Sequence, residues 1–179
     1  MKKVLTLCVC LFLLVGCGKT MNTPKKQVEM FLAKYQTLDA EVLSDLDKVV
    51  TQETTFNETE RTTYKDIMKK HYQDLTYDIK SEEIDGDNAT VKVEVEVTDY
   101  SRALSQADQD LQNNPEQFND DTGTYDPHKF NDHRLKLLKD STERVKYTLD
   151  LTLSKVEDKW QLDQLSDTEQ DKLNGTYNY

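Results

Sequence analysis

Residues 89–97 read ATVKVEVEV. In an extended strand successive side chains point to opposite faces. Ala89, Val91, Val93, Val95 and Val97 therefore share one face, and Lys92, Glu94 and Glu96 share the other. One face needs a cover and the other needs water, a pattern that favours an antiparallel sheet with one side buried. The strand before it carries Leu75, Tyr77 and Ile79 at the same period, and the intervening DGDN at 85–88 is a hairpin turn signal. The alternation returns in RVKYTLDLTLSKV at 144–156, which puts Val145, Tyr147, Leu149, Leu151 and Leu153 on one face. Glu157, Asp158 and Lys159 turn the chain, and Trp160 and Leu162 face inward on the way back. Two hairpins predict about four strands, with Val95 and Trp160 buried.

Around the hairpins the apolar period lengthens to that of a helix. Thr23-Pro24 reads as a cap followed by proline in the first turn. Val28, Phe31, Leu32, Tyr35 and Leu38 then form one stripe. A second helix is predicted over 40–50, with Val42, Leu46 and Val49 inward. Asn57 followed by Glu60 forms a capping-box pattern ahead of a third stripe, Tyr64, Ile67, Met68, Tyr72 and Leu75. Residues 101–144 are polar and read as a helical and loop insertion between the hairpins. Ala103, Leu104, Ala107 and Leu111 form a narrow stripe there, and Pro127 opens a helix carrying Phe130, Arg134, Leu137 and Leu138. Pro115, Gly123 and the polar run between them suggest mobility. Residues 167–174 read as a last short helix or a frayed tail, stopped by Gly175. Segregated helices and antiparallel strands predict an α+β domain over 23–179, its three N-terminal helices packed on a curved sheet.

The N-terminus sets location. Lys2 and Lys3 precede a largely apolar stretch, 4–15, that is too short to span a bilayer. That order is the layout of a secretory signal. Leu14-Val15-Gly16-Cys17 resembles the lipobox of bacterial lipoproteins. The resemblance implies removal of residues 1–16, a multi-chain lipid on the Cys17 sulfur, and a leash over 17–22. The place implied is the extracytoplasmic face of the cell membrane. Cys8 and Cys10 would leave with the signal, so no intrachain disulfide would remain. A plain secreted protein is the alternative. Residues 1–16 carry two lysines and no acid, so the net charge of the remainder moves from −11 to −13. Such a chain is unsuited to nucleic acid, whose recognition needs a basic patch. Anionic headgroups would repel it, apart from the anchor. With 36% hydrophobic and 32% charged residues the chain approaches the composition of disordered proteins, but nine Tyr, five Phe and the regular aliphatic spacing are more than a disordered tail carries.

Three segments together resemble the nuclear-transport-factor-2-like (cystatin-like) superfamily, as found in small lipoproteins of Gram-positive bacteria. They are the opening helix TPKKQVEMFLAKYQTLD, the hairpin YDIKSEEIDGDNATVKVEVEV, and the closing pair RVKYTLDLTLSKVEDKWQLDQLSD with a tryptophan just past its turn. The likeness spans most of 23–166; the insertion at 101–144 departs from it. The resemblance implies helices over a concave sheet face, with any ligand held between the first helix and that face.

Enzymes of that superfamily place an acid or a histidine inside the concave face. Here Glu94, Glu96 and Asp150 fall on the opposite face by parity, so a binding role is expected ahead of a catalytic one. No cofactor motif is present: there is no CxxC, Gly-rich phosphate loop or nucleophile elbow. His128 and His133 are five apart, which does not match a helical zinc pair, and His71 reads as a helix-edge residue. NDDTGTYD at 119–126 fails the EF-hand spacing, since counting that places Gly123 sixth puts Lys129 twelfth. Asp120, Asp121 and Asp126 form either a looser cation site or a solvated loop. Tyr35, Tyr64, Tyr72, Tyr77 and Tyr147 all fall on inward faces, as core or as the lining of a ligand pocket. A lipid-anchored binding module for a protein or small apolar ligand is the leading expectation. A cavity enzyme and a structural envelope component are the alternatives.

Overall fold

The computed structural model describes residues 22–178. Cys17, the signal-like segment and most of the leash lie outside them. The alternating segments form one antiparallel sheet of four strands, β1 (Thr76–Asp85), β2 (Asn88–Thr98), β3 (Arg144–Val156) and β4 (Lys159–Leu162), in the order β1-β2-β3-β4. The inward residues pair across the central strands as Val91 with Leu151, Val93 with Leu149, Val95 with Tyr147 and Val97 with Val145. The four valines are completely buried, and Trp160 is buried beside them. On the outer face Lys92 meets Asp150 at 3.0 Å, and Glu94 lies between Lys80 at 3.4 Å and Lys146 at 3.3 Å. Exposed pairs of this kind contribute at most about 1 kcal/mol each. The register is held instead by the valines, because a one-residue slip would turn all of them into water.

The helical signals also mark real starts. α1 (Pro24–Gln36) opens where the Thr23 hydroxyl accepts from the Lys26 N–H, and it lays the fully buried Val28 and Leu32 on the sheet. α2 (Ala40–Gln52) packs on α1 and on α3 (Glu58–Gln73), and α3 begins with the complete Asn57–Glu60 capping box. Val42, Leu46 and Val50 face inward on α2, while Val49, expected inside, is 50% exposed. Residues 49 and 50 both continue a stripe begun at Val42, and packing on α3 selects the second.

The insertion, expected to be mobile, is instead a structural layer. It consists of α4 (Ser101–Asn113), a 3₁₀ turn at Pro115–Phe118 and α5 (Pro127–Asp140). Phe118 is buried and meets Phe130 edge-on at 5.3 Å, so the polar loop has an aromatic anchor. α5 packs on α3 and on α4. Its buried residues are Asn131, Leu135 and Leu138, whereas Arg134 lies over the Phe56 ring at 5.4 Å. A second apolar core results, with Val42, Leu46, Val50, Phe56, Met68 and Leu138 among its members, separate from the core on the sheet. The chain closes with α6 (Asp167–Leu173), which packs on β3.

The second hairpin turns through Glu157 (φ 50°) and Asp158 (φ 61°), both in the left-handed region. A two-residue turn with two positive φ angles prefers Asn-Gly, and each L side chain held there is unfavourable by about 1 kcal/mol. The double substitution Glu157→Asn, Asp158→Gly is expected to raise unfolding stability by about 1 kcal/mol, read from the urea midpoint at unchanged m-value.

Candidate functional site: two cavities on either side of one helix

The expected ligand space between α1 and the sheet is filled, because Val28 and Leu32 pack there against the strand valines and leucines. The open space lies among the helices. A cavity of about 700 Å³ is bounded by α1, α2, α3 and α6. Tyr35, Tyr64 and Tyr72 line it, with Phe31, Met68 and Leu173. Tyr35 and Tyr72 meet edge-on at 4.9 Å, and the Tyr72 hydroxyl donates to Asn174 Oδ1 at 3.2 Å. Burial pushes the Tyr35 phenol up to about 12 and raises those of Tyr64 and Tyr72, so all three stay neutral. Tyr77 and Tyr147 are not part of this group. Tyr77 is half-buried at the margin of the sheet core, and Tyr147 is buried within it, its hydroxyl donating to the Tyr177 carbonyl at 3.3 Å.

A second cavity, of about 560 Å³, opens on the other side of α3, between the C-terminal ends of α3 and α5 and the start of α4. His71, Tyr100, Lys70, Lys139 and Arg144 are among its lining residues. The sequence reads His71 as a helix-edge residue; it is fully buried, with 1% exposure. The cover comes from the C-terminal segment, 102 residues away, which no local pattern reveals. His71 Nε2 lies 2.9 Å from the Leu173 carbonyl, and a carbonyl only accepts, so Nε2 carries the proton. Nδ1 is then an acceptor, and it has no hydrogen-bond partner among the described residues. The imidazole lies 5.0 Å from the Tyr100 ring, tilted 30° to it. Burial lowers the His71 pKa to about 4; the Leu173 carbonyl opposes the shift, Arg144 adds to it and Asp74 opposes it.

α3 lines both cavities, and the end of α6 is hydrogen-bonded to it through His71 and Tyr72. Gly175 (φ 69°) follows Asn174, and its N–H and that of Thr176 reach back to the carbonyls of Lys172 and Asp171, the Schellman ending. The Gly175 carbonyl accepts from both the Tyr100 and Ser101 N–H groups, at 2.8 and 3.1 Å. A side chain at 175 would place its Cβ 2.0 Å from the Thr98 carbonyl oxygen and 3.0 Å from His71 Cε1.

The other polar candidates are bound into the architecture. Asp120 Oδ1 accepts from the Thr122 hydroxyl at 2.6 Å and from the N–H groups of Thr122 and Thr124, so its carboxylate closes its own loop. Asp126 caps α5 by accepting from the His128 N–H, and Asp121 is exposed. No group of three metal-ligating side chains occurs among the described residues. His128 Nδ1 lies 2.9 Å from the buried carboxylate of Glu60, and His133 Nε2 lies 2.8 Å from Asp110; the two histidines serve different partners. Glu94, Glu96 and Asp150 stand on the outer face of the sheet in ion pairs, as parity requires. Among the described residues no helix is long and apolar enough to cross a membrane. The chain matches no protein-family model, no curated protein and no solved structure.

Two tests follow from the contact between the end of α6 and α3. Gly175→Ala combines a left-handed backbone with a clash against backbone, and is expected to reduce stability by roughly 3 kcal/mol, measured by urea denaturation. His71 tests the second. Its folded pKa of about 4 lies below the ordinary 6.5, so the unfolded chain binds the proton first as pH falls. The His71 contribution is complete above about 6.5 and is lost progressively toward pH 4, by an amount on the order of 3 kcal/mol. His71→Gln keeps a donor for the Leu173 carbonyl and removes the titration. Its melting temperature should fall less steeply than the parent's between those pH values.

Proposed function

We propose that this chain is a lipid-anchored extracytoplasmic binding module, tethered through Cys17, that holds a small apolar ligand in the tyrosine-lined cavity. The observation that carries the reading is the convergence of Tyr35, Tyr64 and Tyr72 on one cavity of about 700 Å³, a size suited to a small molecule. Its lining joins aromatic faces to a polar side made by Gln52, Gln164, Gln170 and Asn174 and by the charged Asp45 and Lys48. The α+β order of elements supports kinship with the nuclear-transport-factor-2-like lipoproteins that the sequence resembles. The lipobox-like Leu14–Cys17 supports the anchor.

One observation favours the enzyme alternative. His71 is a titratable group buried in a cavity with a displaced pKa, as a catalytic histidine would be. Its chemistry is nevertheless poor for catalysis. A base that holds its proton only below about pH 4 is far from the near-neutral value at which proton transfer is efficient. Its other nitrogen is tied to a backbone carbonyl rather than to an orienting carboxylate.

Thermal shift with 1-naphthol as an apolar probe tests the ligand claim. The melting temperature should rise as the probe concentration passes its dissociation constant, and Tyr64→Leu should weaken binding about tenfold, the loss of one buried phenol contact. A chain that melts at the same temperature at every probe concentration would show the cavity to be a packing gap. For the anchor, Cys17→Ser should move the protein from the membrane fraction to the medium and abolish incorporation of labelled palmitate.

A further inference from the structure

We propose that the His71 cavity is a second binding site, for a small hydroxycarboxylate: an organic anion with a hydroxyl beside its carboxylate. The proposal stands on three features of that cavity and does not depend on the tyrosine site. The first is charge. On a chain of net charge −11, this cavity gathers three cations, Lys70, Lys139 and Arg144, against two carboxylates, Asp66 and Asp74. Both carboxylates are already engaged, Asp74 by Lys70 and Asp66 by Lys69. Lys139 makes no ion pair among the described residues. Arg144 uses Nη2 for the carbonyls of Asp74 and Glu96, at 2.8 and 2.7 Å, and its Nε lies 3.7 Å from Glu96 Oε1. A carboxylate placed between Lys139 and Arg144 would receive charge-assisted hydrogen bonds, the strong class.

The second feature is the acceptor at Nδ1. The proton on Nε2 is fixed by the Leu173 carbonyl, so Nδ1 is left as a buried lone pair with no donor. Buried acceptors are nearly always paired, and one left open is unfavourable to the fold. A carboxylate alone cannot satisfy it, because two acceptors repel. A hydroxyl can, and this sets the requirement for a donor beside the charge. The third feature is the wall. The Tyr100 ring lies beside the imidazole at 5.0 Å, and Ile67 adds an apolar side. Thr63 and Thr142 bring further hydroxyls to the lining. At about 560 Å³ the cavity has room for a molecule of several carbons.

The test uses the full chain in detergent micelles at neutral pH, with glycolate as the probe. The readouts are the ¹⁵N resonance of His71 Nδ1 and the melting temperature. Glycolate is expected to move the Nδ1 resonance upfield, as accepting a hydrogen bond does, and to raise the melting temperature. Acetate lacks the hydroxyl and glycerol lacks the charge, so each should bind about tenfold more weakly. Lys139→Gln, a surface change, should weaken glycolate about tenfold while the ligand-free protein melts as before. An Nδ1 resonance unmoved by saturating glycolate would overturn the proposal. So would equal binding of acetate and glycolate, which would mark a charge patch that ignores the histidine. Tyr64→Leu should leave glycolate binding unchanged, so failure here is distinguishable from failure of the tyrosine-cavity reading.

Discussion

The structure depends on the joint between the Gly175 carbonyl and the start of α4. A helix begins with N–H groups that have no partner inside it. At α4 the N-cap is Tyr100, whose side chain cannot cap, and the helix follows β2 with no loop in which a better residue might sit. Asp99 supplies part of the answer, accepting from the Ser101 N–H at 3.1 Å and from its hydroxyl at 2.5 Å. The rest comes from the far end of the chain, as the Gly175 carbonyl accepts from both Tyr100 and Ser101. The last turn of α6 is thereby fixed against the sheet, and Leu173 can fill the sheet core. The same turn presents its carbonyl to His71 and the Asn174 amide group to Tyr72, both on α3. Sheet core and helical core are thus tied by a segment that belongs to neither by sequence.

A second joint holds the insertion. Glu60 is 1% exposed, and an unpaired carboxylate there would be strongly unfavourable. It is fully engaged: Oε2 accepts from the Asn57 N–H at 2.6 Å and faces Asn131 at 3.5 Å, and Oε1 meets His128 at 2.9 Å. Asn131 also donates to the Thr55 carbonyl at 3.1 Å. A capping box that would serve one helix on its own here also fastens α5 to the start of α3. This is why a polar insertion with few apolar residues can hold its place as a layer.

Strands and helix starts were legible because both are local. The 89–97 alternation needs no distant partner to declare its face, and Thr23 and Asn57 cap helices within three residues of themselves. What escaped was long-range. Val49 and Val50 are equally good continuations of a stripe from Val42, and only the position of α3 decides between them. His71 lies beside an apolar stripe, and a segment 102 residues away buries it. The five tyrosines all face inward as their periods require, but inward has two meanings in a protein with two cores. Tyr77 and Tyr147 pair with Val95 across the sheet, while Tyr35, Tyr64 and Tyr72 face the space among the helices. Three aspartates close together in sequence were not close in role: Asp120 closes a turn, Asp126 caps α5 and Asp121 is exposed.

The division of α3 follows from the same geometry. Tyr64, Met68 and Tyr72 are four apart and line the tyrosine cavity; Thr63, Ile67, Lys70, His71 and Asp74 line the other. At 100° per residue the two sets occupy adjoining faces of one helix. A helix packed on one side only would bury a single stripe and leave the rest to water. α3 is contacted by α1 and α2 on one flank and by α5 and β2 on another, so both faces are enclosed without either being filled. Leu173 completes the arrangement. The residue lines the tyrosine cavity, and its carbonyl fixes the tautomer that leaves the buried Nδ1 of His71, a residue lining the other cavity, without a hydrogen-bond donor among the described residues. The element between the cavities is therefore α3, and the α6 segment that contacts it is positioned by the Gly175 joint.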